Sequence, residues 1–147
     1  MRLTFPSFAI MLILALVAFA QQDPWKDSDV IQPQALAARL TGASASKPVI
    51  LYVGFPVLYR SSHIPDAILA GPVSKPEGLD ALRQAVAKLP HNSEIVIYCG
   101  CCPFDHCPNI RPAYAELHRL GFDRITVLSI PTNMSKDWIA KGYPAQK

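Results

Sequence analysis

Cys99, Cys101, Cys102 and Cys107 are the four cysteines of this 147-residue chain, and all of them lie in one short segment. A thiol can serve as a nucleophile, as half of a redox couple or as a soft-metal ligand. A disulfide framework that staples a small exported fold spreads its cysteines apart to close long loops, and no long loop can be closed here. The cluster is therefore a local device, with three chemistries open to it. One cysteine can act as a nucleophile while another resolves the product. A pair can brace the loop as a disulfide: Cys107 closes a small ring with Cys99, Cys101 or Cys102, whereas a vicinal Cys101–Cys102 bond is strained and easily reduced. Alternatively, Cys99, Cys101, Cys102 and Cys107 can hold Cu(I), Zn or an iron–sulfur cluster, with His106 as a substitute ligand. The spacing Cys-x-Cys-Cys-x4-Cys lacks the separated knuckles of structural zinc sites. Apart from such a metal, no cofactor is expected.

Position singles out Cys99. It directly follows the apolar run Ile95-Val96-Ile97-Tyr98, and a helix begins near Asn109. A thiol between a strand end and a helix start meets backbone N–H groups and the positive end of the helix dipole, which favour its thiolate. The same donors suit a nucleophilic sulfur that accepts sulfur from an anionic substrate. Cys101, Cys102 and Cys107 are the supporting or resolving thiols. Arg111 offers a fixed positive charge, or is an exposed helix residue. Asp105 and His106 lie in the same segment and can hold or deprotonate a thiol, or form a solvated pair.

The elements that position these residues follow from periodicity. Val49–Val53, Glu94–Tyr98 and Ile125–Leu128 are continuous apolar runs of the kind buried on both faces of a parallel sheet. Val30-Ile31 and Ile68–Ala70 are shorter strand candidates. Helices are expected over Pro33–Leu40, Pro76–Leu89, Asn109–Leu120 with Asn109 as its N-cap, and Met134–Lys141 with Asn133 as its N-cap. Tyr52, Tyr98 and Trp138 read as core or rim aromatics. Strands alternating with helices give an α/β domain with a parallel sheet covered on both faces. The working site of such a sheet lies beyond the carboxyl ends of its strands, where Cys99 falls.

Residues 1–20 read as a cleaved signal peptide: Arg2, an apolar run from Phe8 to Phe19, and the small-x-small pattern Ala18-Phe19-Ala20. Residues 21–29 then form an N-terminal extension and 30–147 a single domain. The protein is expected to be exported, either periplasmic or secreted, with no stable membrane insertion after cleavage. A net charge of +3 is too small to imply nucleic acid as a partner.

Several of these segments resemble the second half of a rhodanese domain. They are Tyr98-Cys99 at a strand end, Leu117-x-x-Leu120-Gly121-Phe122, a strand at Leu128, and Trp138-x-x-x-Gly142-Tyr143-Pro144. His63-Ile64-Pro65-x-Ala67 is similar to that family's His-Ile-Pro-Gly-Ala segment, a structural turn. The resemblance runs from about Val30 to Pro144. It implies a three-layer fold with a parallel sheet of about five strands and helices on both faces. It also implies that Cys99 takes a sulfane sulfur from a small anionic donor such as thiosulfate, forms a persulfide cradled by loop N–H groups, and passes the sulfur to a thiol acceptor. The chain departs from the pattern in three places. Roughly five residues are inserted between Cys99 and the following helix. Tyr52 and Gly54 replace an acidic and basic pair, and Ile130-Pro131 replaces Gly-Gly. The expected activity is sulfur transfer. The alternatives are a thiol redox or metal-thiolate module, or a catalytically silent interaction domain.

Overall fold

The computed structural model describes residues 23–43 and 46–147. The expected signal peptide lies outside the described residues. Ten regular elements follow in order: β1 (Val30–Ile31), α1 (Pro33–Thr41), β2 (Val49–Tyr52), α2 (Pro56–Ser61), β3 (Ile68–Leu69), α3 (Pro76–Val86), β4 (Ile95–Tyr98), α4 (Ile110–Arg119), β5 (Ile125–Leu128) and α5 (Met134–Asp137). Short 3-10 turns cover Asp27–Asp29, Phe104–His106 and Ile139–Lys141. Among the described residues no helix is long and apolar enough to cross a membrane.

The five strands form one sheet in the order β1-β5-β4-β2-β3, with every pairing parallel. The β-branched and aromatic residues of β2, β4 and β5 suit the pleat, and their alternation sorts them into two layers. Leu51, Ile95, Ile97 and Val127 face α3 and α4, where Leu82, Val86, Ile110, Ala113 and Leu117 close the larger core. Ile50, Tyr52, Val96, Tyr98 and Leu128 face the other way, onto Leu36 and Ala37 of α1 and onto Ile64 and Trp138. The α/β architecture with a five-stranded parallel sheet and helices on both faces is thus present as expected.

Two helices differ from the sequence expectation. α3 ends at Val86 rather than Leu89. The expected helix Met134–Lys141 is broken after Asp137. Trp138 leaves helical geometry there (φ −125°, ψ −62°), its ring is fully buried, and its indole N–H donates to the Pro144 carbonyl at 2.7 Å. Burying that ring outweighs continuing a short exposed helix.

Residues 23–29 pack onto the domain. Trp25 lies 5.6 Å from the rings of both Phe104 and Tyr114, and the Tyr114 hydroxyl donates to Asp29 at 3.0 Å. The stretch expected as an extension therefore rests against the cysteine segment.

Candidate active site

β4 is the central strand of the sheet, and its register sets Tyr98 beside Tyr52 of β2. Cys99 leaves the sheet at this point, at its carboxyl edge. Its side chain continues the Ile95–Ile97 face, toward α4. Gly100 then reverses the chain in the left-handed region (φ +68°), and its carbonyl accepts from the Met134 N–H at 2.9 Å. A Cβ at Gly100 would stand 3.1 Å from that of Met134, so both the turn and the close approach call for glycine. The far part of the loop is fixed by the Phe104 N–H, which donates to the Ile130 carbonyl at 3.0 Å. The cysteine segment is thus tied at both ends to the chain that follows β5.

All four cysteines are free thiols, so a disulfide bracing the loop is not part of this structure. Cys99 and Cys107 are buried, while Cys101 and Cys102 are partly exposed. The Cys99 and Cys101 sulfurs are 3.0 Å apart, and the Cys102 sulfur lies 3.4 Å from that of Cys101. The sulfurs of Cys99, Cys101 and Cys107 all lie within 4.8 Å of one another.

These thiols share their protons. Cys107 is held below the ordinary thiol range by its neighbours Cys101 and Cys99 and by the Asn109 and Ile110 N–H groups, which point at it. Those last two groups belong to the start of α4, where the helix dipole favours a negative charge. Cys99 receives a hydrogen bond from Cys101 that favours its thiolate. Its hydrogen bond with Cys107, its burial and the charge on Cys107 outweigh that and push it up to about 12. Cys101 is raised by its bonds to Cys107 and Cys99 and by burial, and Cys102 chiefly by burial. Of the four, Cys107 is the thiol most favoured to ionise, and its sulfur lies within 4.8 Å of that of Cys99.

A cavity of about 450 Å³ opens above Cys99 and Cys101, walled by Tyr52, Leu58, Ser61, Ser62 and Met134 among others. Its lining includes no charged side chain; the hydroxyls of Ser61, Ser62 and Ser135 and the amide of Asn133 supply its polar groups. Gly54 forms part of the surround: a Cβ there would stand 2.9 Å from the Cys99 sulfur and 2.6 Å from the Tyr52 hydroxyl oxygen. Burial raises the Tyr52 phenol, and the neighbouring thiols raise it further, so it stays protonated.

No family model matches the chain, and no curated protein matches it. Solved structures do. The rhodanese-like domain of the Alr3790 protein from Anabaena matches over 80% of this chain and 78% of its own, with 23% identity and a TM-score of 0.58. The BH2092 protein from Bacillus halodurans matches over 81% and 77%, with 19% identity and a TM-score of 0.61. A thiosulfate sulfurtransferase from Pseudomonas aeruginosa matches over 81% of this chain but 19% of its own, with 26% identity and a TM-score of 0.59. The fold is that of a rhodanese-like domain.

Within this rhodanese-like fold the residues expected at the site divide into two groups. Cys99 and Cys101 line the cavity, and Cys107 lies behind them against α4. Arg111, Asp105 and His106 are not brought to the Cys99 sulfur. The Arg111 guanidinium pairs with Asp23 at 2.5 Å, donates to the Asp105 carbonyl at 3.2 Å and lies over the Trp25 ring. Asp105 and His106 are exposed on the 3-10 turn, beside a separate surface depression with Cys107 and Arg111.

Asn109 stands at the N-cap position of α4, as expected, but its side chain makes no capping bond. It is fully buried. Its carbonyl oxygen accepts from the Ser74 N–H at 3.0 Å, and its amide donates to the Cys99 sulfur at 3.5 Å. This site residue had no signal beyond its place two residues after Cys107. His63 is structural: it stacks on Tyr59, its Nδ1 meets the Tyr59 carbonyl at 2.8 Å, and its Nε2 meets the Gln146 amide at 3.0 Å.

Proposed function

We propose that this rhodanese-like domain is a sulfurtransferase that carries sulfane sulfur on Cys99. The observation that carries the reading is the place of Cys99. It lies at the carboxyl edge of the central strand, on the cavity wall, in a fold shared with a thiosulfate sulfurtransferase. Cys99, in its thiolate form, attacks the outer sulfur of a small anionic donor such as thiosulfate. The new bond joins Cys99 to that sulfur. The donor's sulfur–sulfur bond breaks, and sulfite leaves with the electron pair. The Cys101 N–H and the Asn109 amide, both directed at the Cys99 sulfur, stabilise the persulfide anion. A thiol acceptor or cyanide then attacks the terminal sulfur and frees Cys99.

The cavity recognises the donor through neutral hydroxyl and amide groups rather than a fixed cation, since Arg111 is engaged by Asp23. With residues 1–20 as a leader, the reaction takes place outside the cytoplasm.

The test is thiocyanate production from thiosulfate and cyanide. Cys99→Ser falls to the uncatalysed rate, and Cys102→Ser, whose sulfur is off the cavity wall, retains turnover. Full turnover by Cys99→Ser overturns the reading.

A further inference from the structure

We propose that Cys99, Cys101 and Cys107 form a three-sulfur site for a soft monovalent cation, Cu(I), and that Cys102 stands outside it. The sequence offers four sulfurs, but the fold groups three, all within 4.8 Å of one another. Three thiolates bound at about 2.3 Å around one ion in a plane stand about 4.0 Å apart. The Cys99–Cys101 separation of 3.0 Å opens to that value by about 1 Å, which is within reach of side-chain rotation. Cys102 lies 3.4 Å from Cys101 and also neighbours Cys107, but it stands outside the mutually close group of three.

The ion follows from the donor set. Soft thiolates select Cu(I), zinc or iron–sulfur clusters, and structural zinc sites close with four ligands. Among the described residues, no further histidine, cysteine or carboxylate joins the group of three. His106 is exposed on the far side of the loop. A three-coordinate thiolate cage is suited to Cu(I).

The surroundings supply what such a site needs beyond its ligands. The Asn109 side chain donates to the Cys99 sulfur, the Cys101 N–H points at it, and the Asn109 and Ile110 N–H groups point at Cys107. These donors offset the surplus negative charge of three thiolates on one cation. Cys101 faces the cavity, which gives the ion a way in. The inference rests on sulfur spacing and not on sulfur transfer, so failure of the thiocyanate assay leaves it standing.

Anaerobic titration of the reduced protein with Cu(I), against a chromophoric Cu(I) chelator, reads affinity and stoichiometry. X-ray absorption at the copper edge reads the ligand count. The expected result is one Cu(I) per chain bound by three sulfurs. Cys101→Ser and Cys107→Ser weaken binding by about tenfold or more, whereas Cys102→Ser and His106→Ala bind as the unmodified protein does. Two or four sulfurs at the copper edge overturn the site. So does Cys102→Ser weakening binding as much as Cys107→Ser. Circular dichroism checks that each variant is folded; if Cys107→Ser is not, the unmodified protein's ligand count and Cys102→Ser decide.

Discussion

At the scale of single residues, the site is defined by which sulfur carries the charge. Cys99 stands at the strand end on the cavity wall, but the thiol most favoured to ionise is Cys107, where two N–H groups at the start of α4 meet it. A lowered thiol pKa means that the thiolate survives below the ordinary thiol range. The ultraviolet thiolate absorbance of the reduced protein should therefore persist below the ordinary thiol range, and Cys107→Ser should abolish that part of it. Absorbance that appears only as pH rises through the ordinary thiol range would show that the cluster does not hold this charge. The position of Cys99 was legible because strand ends and loop starts are written in local pattern. The role of Asn109 was not: it depends on Ser74 and Cys99 meeting in space, which no spacing records. The partners of Arg111 were not legible either, because Asp23 and Trp25 come from far along the chain.

At the scale of elements, α4 holds the cysteine segment against the sheet, and α3 braces α4. The brace is Glu116, a buried carboxylate of α4 that accepts from Arg83 of α3 at 2.6 Å and from Arg119 at 2.6 and 2.8 Å. The Arg119 bond first, and then Arg83, hold Glu116 down at about 2, against an ordinary value of 4.5. A depressed carboxylate stabilises the fold fully above its ordinary pKa and loses that contribution as pH falls through its folded value. Glu116→Gln should thus lower the melting temperature at neutral pH, with the gap to the unmodified protein shrinking from about pH 4.5 down to about pH 2. A gap independent of pH would assign the loss to packing rather than to charge. The long strands and the helices on their flanks were legible here, since a continuous apolar run or a three-to-four repeat is a local signal. The break at Trp138 was not, because the ring's burial against the sheet, and not helix propensity, decides it.

For the whole molecule, the sheet divides the interior into two cores, and the site sits on the border between them. Trp138 is the largest fully buried side chain, in the core opposite α4, and it also anchors the segment that follows β5. Trp138→Ala should cost about 3–5 kcal/mol in denaturant unfolding, as a lower midpoint with an unchanged slope. A loss below about 1 kcal/mol would mean that this core collapses around the change. The rhodanese-like architecture was visible in the sequence as the order of its segments. The inserted loop was visible only as extra length, because its shape is set by contacts with residues 23–29 and with the chain after β5.

The packing of Trp25 against Phe104 has an optical consequence. The chain has two tryptophans, and they pack into the cores on opposite faces of the sheet. Trp25 is a partly exposed fluorophore in contact with the inserted loop, whereas Trp138 is sealed in the far core. Emission from Trp25 follows the loop, and emission from Trp138 follows the fold. Chemistry at the sulfurs and collapse of the domain are therefore distinguishable by light alone, with no label attached.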